Sequence, residues 1–409
     1  MRTRNYRLFA TGQVISNSGT WMQRVAQDWL VLQLTHGSGT ALGIATGLQF
    51  LPMLLFSLWG GAIADRYPKR RILMLTQTVM GLLAFTLGLL AVTGAVRIWQ
   101  VFALAFGLGL ATVVDNPTRQ AFVTEMVGRA DMPNAIALNS AIFNLARIAG
   151  PAAAGLVIGA VGTPIAFFLN AASYVAVLVA LKLMRPGELY PARPVRRASG
   201  QLREGLRYVR NRPALLMPMV LIFFVATFGM NFQVTNALMS RQVFHTGATA
   251  FGVASAVFAV GALAGALLAA RRSKPGLRLL VAAAFGFGVL EVVTALMPSF
   301  WLFLALLVPT GLVLLTLNTA ANSAVQLGSA EDMRGRVMGL YMLVFLGGAP
   351  LGSPLVGWVA EQFGPRMSLM AGGAISALAA AVVGLLLAHR RGVTVRQAVR
   401  PRELARLVA

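Results

Sequence analysis

The chain has 409 residues, of which 57 % are hydrophobic and only 11 % charged, and its mean hydropathy is +0.73. This composition excludes an ordinary soluble domain, because soluble proteins carry about 25 % charged residues. The sequence has no cysteine, which excludes disulfides and thiolate metal sites. Its three histidines are scattered at positions 36, 245 and 389 and predict no metal cluster. We therefore expect neither a metal nor a cofactor.

Apolar segments long enough to cross a bilayer recur along the whole sequence. A transmembrane helix needs about 20 mostly apolar residues, and unbroken apolar runs without two-residue alternation favour helices over a β-barrel. We predict an all-α integral membrane protein with twelve spans, numbered here in chain order: 8–33, 40–64, 72–93, 98–124, 134–160, 163–184, 214–240, 248–270, 277–297, 299–325, 335–360 and 366–389.

The net charge of +23 is distributed asymmetrically, and this argues against nucleic-acid binding. If the amino terminus is cytoplasmic, 29 of the 35 Lys and Arg residues fall in the tails or in cytoplasmic connections. Such an excess of cations is typical of the cytoplasmic side, where they face anionic lipid headgroups. We predict a multi-pass protein of the bacterial cytoplasmic membrane with both termini cytoplasmic, in contact with membrane lipids and not with nucleic acid.

One long polar connection divides the spans six and six. The predicted domains are an amino-terminal bundle (1–184), a cytoplasmic basic linker (185–213), a carboxy-terminal bundle (214–389) and a cytoplasmic basic tail (390–409). Within the linker, residues 202–209 repeat apolar side chains at helical spacing. That pattern fits an amphipathic helix on the inner membrane surface, and a solvated basic linker fits equally well.

An internal repeat with a constant offset of 201 or 202 residues indicates two related halves. It pairs Asp131-Met132 with Asp332-Met333, and it pairs Gly109, Asn116, Gly155 and Gly162 with Gly311, Asn318, Gly357 and Gly364.

A dense charged motif lies between spans 2 and 3, at residues 61–71 (Gly-Ala-Ile-Ala-Asp-Arg-Tyr-Pro-Lys-Arg-Arg). It resembles the loop signature Gly-x-x-x-Asp-Arg-x-Gly-Arg-Lys of the major facilitator superfamily, except that Pro68 stands where that pattern has Gly. The resemblance implies the major facilitator fold, with two pseudo-symmetric six-helix bundles that work by alternating access. It also implies gating roles for Gly61, Asp65, Arg66, Lys69 and Arg70.

Narrower resemblances lie within three spans. Residues 21–29 of span 1 and 115–122 of span 4 look like the branch that holds macrolide-efflux and enterobactin-export proteins. Residues 147–155 of span 5 resemble the Gly-Pro motif of drug–proton antiporters, with Ala154 at a usual Gly position. This similarity implies that Arg119 of span 4 and Gly150, Pro151 and Gly155 of span 5 belong to the moving machinery.

Ionisable side chains inside spans are candidates for function, because an unpaired charge in a membrane costs several kcal/mol. Arg24 and Asp28 are four residues apart, as are Asp115 and Arg119, so each pair is able to meet on one helix face. Each is either a static ion pair or a carboxylate that alternates between the arginine and a proton. The proton-coupling candidates are Asp28, Asp115 and Glu291, of which Glu291 fits a structural role as well.

In the resembled fold, spans 1, 4, 7 and 10 and their neighbours line a central cavity, and spans 3, 6, 9 and 12 are outer supports. The sequence agrees in that spans 3, 6 and 12 carry almost no polar groups at depth. The cavity candidates are Gln23, Arg24, Arg147, Asn231, Gln233, Asn236, Asn318 and Asn322, with Trp21, Phe50, Phe56, Met230 and Phe232 as side chains that either stack a substrate or pack the helices.

Arg119 has a second predicted partner in the loop Asp65. In the superfamily this aspartate meets an arginine of span 4 and the positively polarised start of span 11. We predict that Asp65 and Arg119 form a cytoplasmic latch that holds the outward-open state. Gly61 would allow spans 2 and 11 to approach closely there.

The sequence contains no phosphate-binding loop, no ATPase domain and no catalytic constellation, so we predict that the protein is not an enzyme. We predict a monomeric secondary transporter that exports hydrophobic or amphipathic small molecules by proton-coupled antiport, of the multidrug-efflux type. The alternatives are a dedicated exporter of one endogenous metabolite, such as a siderophore, and a lysophospholipid flippase.

Overall fold

In the computed structural model, which describes residues 3–128, 131–190, 201–270 and 276–390, the backbone is almost entirely helical. The predicted all-α class is therefore confirmed, whereas most of the basic tail and residues 191–200 of the linker lie outside the described residues. The helices are α1 (Arg4–Leu34), α2 (Gly39–Arg66), α3 (Lys69–Val92), α4 (Ile98–Val127), α5 (Met132–Val161), α6 (Thr163–Leu183), α7 (Gln201–Arg210), α8 (Pro213–Phe224), α9 (Phe232–Leu238), α10 (Ala248–Ala270), α11 (Leu277–Ala295), α12 (Phe300–Gly328), α13 (Arg334–Phe363) and α14 (Pro365–Arg390).

Eleven helical stretches in the described part of the chain are long and apolar enough to cross a membrane, and they correspond to predicted spans 2 to 12. The first predicted span differs. Helix α1 has 31 residues, ample length for a crossing at about 1.5 Å per residue, but polar residues interrupt its apolar sequence. Other helices bury these polar groups, since Gln13, Gln23, Gln27 and Asp28 are all at most 3 % exposed.

The seventh span, Pro213–Val243, is broken in its middle. Helix α8 is followed by a π-helical turn at Val225–Gly229, the chain leaves the helix at Met230 and Asn231, and α9 then begins. The side chain of Asn231 donates from Nδ2 to the Thr227 carbonyl at 2.8 Å and accepts from Ser353 Oγ at 2.8 Å. These hydrogen bonds satisfy polar groups at the break, where the regular backbone hydrogen bonds of the helix are interrupted.

The first six helices pack on one another, and α8 to α14 pack on one another. The most extensive contacts between the halves are those of α2 with α13 and of α5 with α10, and α9 also contacts α1 and α2. The repeated glycines occupy equivalent contacts: Gly109 of α4 abuts α2, and Gly311 of α12 abuts α10. Gly162 and Gly364, which end α5 and α13, have φ angles of +85° and +89°. The sequence repeat is thus a repeat in space.

The molecule has two distinct ends. We call the end with the connections after α2, α4, α6 and α12 the basic end, and the end with residues 35–38, 93–97, 244–247 and 364 the opposite end. Hydrogen bonds between the halves join Gly37 to Gln242 and Ser38 and Thr40 to Glu361 at the opposite end. The halves are therefore closed on one another at that end.

The predicted amphipathic helix corresponds to α7, which lies in the linker and packs against the second half of the protein. Glu204 Oε1 lies 2.7 Å from Arg336 Nη1 at the start of α13. Tyr208 Oη accepts a hydrogen bond of 3.1 Å from the Ala330 backbone, and Val209 is 2 % exposed. These contacts fix α7 beneath the second half, at the basic end.

Candidate functional site

A cavity of about 470 Å³ lies between the two halves. The first half contributes α1, α2 and α5 to its walls, and the second half contributes the broken seventh span, α10, α12 and α13. Its polar lining consists of Arg24, Thr46, Arg147, Asn231, Gln233, Asn236, Ser255, Asn318 and Ser353. The volume suits a drug-sized molecule, for which pockets of about 300–1,000 Å³ are usual.

Six of the eight predicted polar cavity residues lie in this lining, and two do not. Gln23 faces α6 instead, where its Oε1 accepts a 2.5 Å hydrogen bond from Asn170 Nδ2. Asn322 lies one turn beyond Asn318 on α12, outside the lining. Of the predicted apolar lining, Phe56 is also outside, because it lies further along α2 and packs against Trp59.

Two expectations about the helices are corrected. None of the lining residues in the described chain comes from α4, because the polar side chains of that helix face α1 and α3. The outer helices are also more polar than expected, with Gln77 of α3 and Asn170 and Ser173 of α6 buried. Each of these polar side chains forms a hydrogen bond to another helix or along its own, which offsets part of the cost of burial.

Arg24 and Arg147 lie on the same wall of the cavity. The Arg24 guanidinium lies 4.6 Å from the ring centre of Trp21 and 5.5 Å from that of Phe50. Gly150 allows α5 to approach α1 closely, because a Cβ atom at this position would lie 2.5 Å from Trp21 Cβ. Arg147 lies one helical turn before Gly150 on α5, so it is close to this contact. Arg24 Nε and both Nε and Nη2 of Arg147 are buried and have no hydrogen-bond partner among the described residues.

Asp28 is completely buried between the halves and is bonded to Gln233, which lines the cavity. Gln233 Nε2 of the second half donates a 2.7 Å hydrogen bond to its Oδ2, and its Oδ1 has no partner in the described ranges. The predicted ion pair with Arg24 is not formed, because that guanidinium lies over the two aromatic rings instead. One oxygen of Asp28 is therefore available to a proton.

Asp115 is also completely buried, and its environment is different. Its Oδ1 accepts hydrogen bonds of 2.8 Å from both Thr76 Oγ1 and Gln77 Nε2, and its Oδ2 pairs with Arg119 as predicted. Arg119 Nη1 also donates to Gln13 Oε1 at 2.5 Å. This network joins α1, α3 and α4, and both carboxylate oxygens of Asp115 have partners in it.

Glu291 of α11 is 2 % exposed and lies inside the second half. Its carboxylate lies beside Gly229, in the π-helical turn of the seventh span, and beside Gly372 of α14, and its Cβ lies beside Gly373. Its Oε2 has no hydrogen-bond partner in the part of the chain that is described. The residue thus faces the point at which the seventh span breaks, and not lipid.

The charged motif after α2 is bonded to α4 and α6 at the basic end. Lys69 Nζ lies 2.9 Å from Oε1 of Glu125, and Arg70 Nε donates to the Leu181 carbonyl at 2.8 Å. Arg66, the last residue of α2, lies over the ring of Tyr67. Pro68, which departs from the family pattern, is the residue just before α3, where a missing N–H has no consequence for the helix.

The closed end of the cavity depends on residues that the sequence does not single out. Glu361 Oε2 accepts from Ser38 Oγ at 2.7 Å and from the Thr40 backbone at 2.8 Å, across the two halves. Thr249 Oγ1 donates to the Gly155 carbonyl at 2.9 Å, between α10 and α5. Only the position of Glu361 near the end of span 11 could have signalled its role.

Small residues carry the contacts between α2 and α13. The backbone of Gly39 meets that of Gly357, Gly43 meets Ser353, and Gly47 meets Pro354. Gly61 is buried further along α2, and its predicted contribution to this approach stays a prediction. No cluster of three or more His, Cys, Asp or Glu able to hold a metal occurs among the described residues.

Comparisons with known proteins place these features in context. The profile of the family described as "Transmembrane secretion effector" matches residues 1–403. The chain is 26 % identical to the staphyloferrin A transporter of Staphylococcus aureus, over 85 % of this chain and 87 % of that protein. It is 28 % identical to the multidrug efflux pump Tap of Mycolicibacterium fortuitum (89 % and 90 % covered) and 25 % identical to the enterobactin exporter EntS of Citrobacter koseri (89 % and 86 % covered).

The fold is similar to that of a solved transporter structure. A bacterial homologue of the human lysosomal transporter Spinster, solved in an inward-facing and unoccupied conformation, superposes with a TM-score of 0.75. The match covers 94 % of this chain and 97 % of that one, at 14 % identity.

Proposed function

Because the chain belongs to the transmembrane secretion effector family of the major facilitator superfamily, we propose that it is a secondary active exporter of hydrophobic or amphipathic small molecules. It couples export to proton entry and works by alternating access. The observation that carries this proposal is the cavity between the halves, closed at the opposite end by bonds from Ser38, Thr40 and Gly37 to the second half. The relatives named as an efflux pump and a siderophore exporter support the outward direction.

The proposed architecture has twelve spans, with α1 as the first, in two six-helix bundles (1–184 and 214–389). The basic linker (185–213), the basic tail (390–409) and both termini are cytoplasmic, so the basic end faces the cytoplasm of a bacterial cell. A helix of 31 residues supports α1 as a span, and the distribution of Lys and Arg supports the orientation. The protein acts as a monomer and leaves its substrate chemically unchanged.

Asp28 is the favoured proton carrier. Its Oδ1 is unpartnered among the described residues, and its Oδ2 is held by Gln233 of the other half, a bond that opening of the opposite end would break. Burial favours the neutral carboxylic acid and hydration favours the carboxylate, so exposure to each side in turn changes its proton affinity. Glu291 is the second candidate, and the partners on both oxygens of Asp115 favour a structural role for that residue.

A transport assay in proteoliposomes tests the proposal. The purified protein is reconstituted, a pH gradient is imposed, and accumulation of labelled dyes, macrolides and siderophores is followed. We expect transport of at least one class in wild type, loss of gradient dependence in Asp28→Asn, and retention of it in Asp131→Asn, an exposed control outside the cavity. If transport by the wild-type protein does not depend on the pH gradient, proton coupling is refuted.

A second candidate, a dedicated exporter of one siderophore-type metabolite, is favoured by the staphyloferrin A and enterobactin relatives. A lysophospholipid flippase is the third. The same assay separates them, because a dedicated exporter moves one compound and a flippase moves lipid between leaflets, whereas an efflux pump of the multidrug type moves several unrelated dyes.

A further inference from the structure

The charged groups that line the cavity are of one sign. In the lining of the described chain, the two ionisable side chains are Arg24 and Arg147, both cations on the wall of the first half. The nearest carboxylate to Arg24 along α1, Asp28, is fully buried and bonded to Gln233. The local net charge is therefore positive whether Asp28 is ionised or protonated. A cationic substrate would be repelled from this wall.

The two arginines also have unused hydrogen-bonding capacity. Arg24 Nε and two guanidinium nitrogens of Arg147 are buried without a partner in the described chain. A buried donor left unsatisfied is costly, and an arginine presents its donors in a planar fork that matches carboxylate or phosphate oxygens. The Trp21 and Phe50 rings hold the Arg24 guanidinium in place, so the fork is positioned before any ligand arrives.

The remaining walls indicate the body of the ligand. Aromatic rings of Phe232, Phe251, Phe258 and Phe345 face the cavity from the second half, beside the amides of Asn236 and Asn318. The Oδ1 atoms of both asparagines have no partner among the described residues. Such a surface suits an aromatic body that carries one or two hydroxyl or amide donors.

Together these observations point to a ligand class, and we propose that the exported substrate is an amphipathic organic anion. An acidic group, either carboxylate or phenolate, binds Arg24 and Arg147, and the aromatic body packs against the phenylalanines of the second half. The inference rests on the proposed function only in that the cavity is taken as the transport site. Export of an anion is also driven directly by an inside-negative membrane potential.

Binding of matched dyes to the purified full-length protein in detergent tests this inference. Carboxyfluorescein and rhodamine 123 share a xanthene body and differ in charge. We expect carboxyfluorescein to bind at least about tenfold more tightly, and Arg24→Gln and Arg147→Gln each to weaken it about tenfold, the usual effect of losing a charged hydrogen bond. Arg24→Lys keeps the positive charge but lacks the planar guanidinium fork. Its affinity for carboxyfluorescein should lie between those of wild type and Arg24→Gln. Arg97→Gln removes an exposed cation at the opposite end and should leave binding unchanged.

The outcomes that overturn the inference are definite. Binding of rhodamine 123 that equals or exceeds that of carboxyfluorescein, or no measurable binding of carboxyfluorescein, would reject an anionic substrate. Equal loss in Arg97→Gln would show a non-specific effect of net charge and would also reject it. Thermal unfolding of each variant separates lost binding from lost folding, and Arg24→Lys supplies the test if a glutamine variant does not fold.

Two further experiments distinguish a lipid phosphate from a soluble acid as the ligand, and binding from transport. Competition by lysophosphatidylglycerol stronger than by free salicylate would assign the arginines to a lipid phosphate and overturn the soluble acid. Binding that follows the arginines in detergent without any gradient-driven transport in vesicles would leave the anion site intact and refute the proposed function. The two proposals therefore fail in distinguishable ways.

Discussion

At the residue scale, the three proton-coupling candidates differ in what surrounds them, although the sequence shows each as an acidic residue in an apolar helix. Asp115 has both oxygens occupied, by Thr76, Gln77 and Arg119. Asp28 Oδ1 and Glu291 Oε2 have no hydrogen-bond partner among the described residues. A paired carboxylate with both oxygens occupied favours a static role, whereas a carboxylate with a free oxygen can take up a proton at low structural cost.

This difference predicts opposite effects on stability. Asp115→Asn should lower the thermal unfolding temperature of the detergent-solubilised protein clearly, because it leaves the Arg119 guanidinium without a counter-charge, a loss of about 3–5 kcal/mol for a buried pair. Asp28→Asn should change it little, since the amide oxygen still accepts from Gln233 and the amide nitrogen replaces an unpartnered oxygen. Tryptophan fluorescence during heating measures both.

The double variant Asp115→Asn with Arg119→Gln is the control for this interpretation. Removing the second charge should recover part of the stability that the first substitution loses, because no unpaired ion is then buried. Greater destabilisation by Asp28→Asn than by Asp115→Asn would reverse the assignment of structural and functional carboxylates.

At the element scale, the contacts between the halves depend on helix backbones that approach one another without side chains between them. Gly43 of α2 lies against the Ser353 backbone of α13, and Gly252 of α10 lies against Pro151 and Gly155 of α5. Small residues at helix interfaces in membranes allow such close packing and sliding. The broken seventh span uses the same device, since Gly348 and Gly352 of α13 lie against Ala226 and Thr227 of its π-helical turn.

We predict that Gly43→Ala opens the opposite end. A Cβ atom at this position meets the backbone of Ser353, which has no freedom to move aside, so the closed contact between α2 and α13 is disfavoured. Because the natural chain has no cysteine, cysteines introduced at the exposed Ala95 and Pro298 label the opposite end cleanly. Distances between spin labels there should lengthen in Gly43→Ala.

Gly339→Ala is the matched control, because Gly339 lies on α13 with no neighbouring atom within 4 Å of the position of an added Cβ. It makes the same change in helix propensity without touching the interface. Unchanged distances in Gly43→Ala, or equal lengthening in both variants, would exclude the glycine contact as the closing element.

At the scale of the whole molecule, the proposed alternating-access cycle requires that closure alternate between the two ends. Hydrogen bonds across the halves join the opposite end, through Glu361 and Gln242. The proposed latch at the basic end consists of Asp65 and Arg119 and belongs to the outward-open state. In the present conformation the described hydrogen bonds of Arg119 go to Asp115, Gln13 and Asn17.

We predict that Asp65→Asn shifts the protein toward the conformation in which the basic end is open. Loss of a partly buried contact between an anion, a cation and a helix start is worth about 1–3 kcal/mol, or roughly one to two decades in a two-state equilibrium. Spin labels at the exposed Tyr67 and Glu331 report this end.

Non-additivity is the decisive measurement, because Arg119→Ala also removes the bond to Asp115. If the latch exists, Asp65→Asn adds little in the Arg119→Ala background, since both changes remove one contact. Full additivity, or shifts of opposite sign in the two single variants, would contradict the latch.

The sequence by itself determined the membrane class, the helical fold and most of the polar cavity lining, because these depend on properties that each segment carries alone. A run of apolar residues must form a helix in lipid, and a polar side chain in such a run must find a polar environment. The constant repeat offset also predicts two related halves, and Gly109 and Gly311 make equivalent helix contacts.

Only the tertiary structure decided which polar groups meet. A residue on one face of a helix has several neighbouring helices within reach, and the sequence does not say which one it contacts. Thus Gln23 bonds to α6 and does not reach the cavity, Arg24 lies on aromatic rings and not on Asp28, and Glu361 joins the halves. The choice depends on distances of a few ångströms between helices, set by glycine contacts such as that of Gly150 with Trp21, and no periodicity in one segment encodes them.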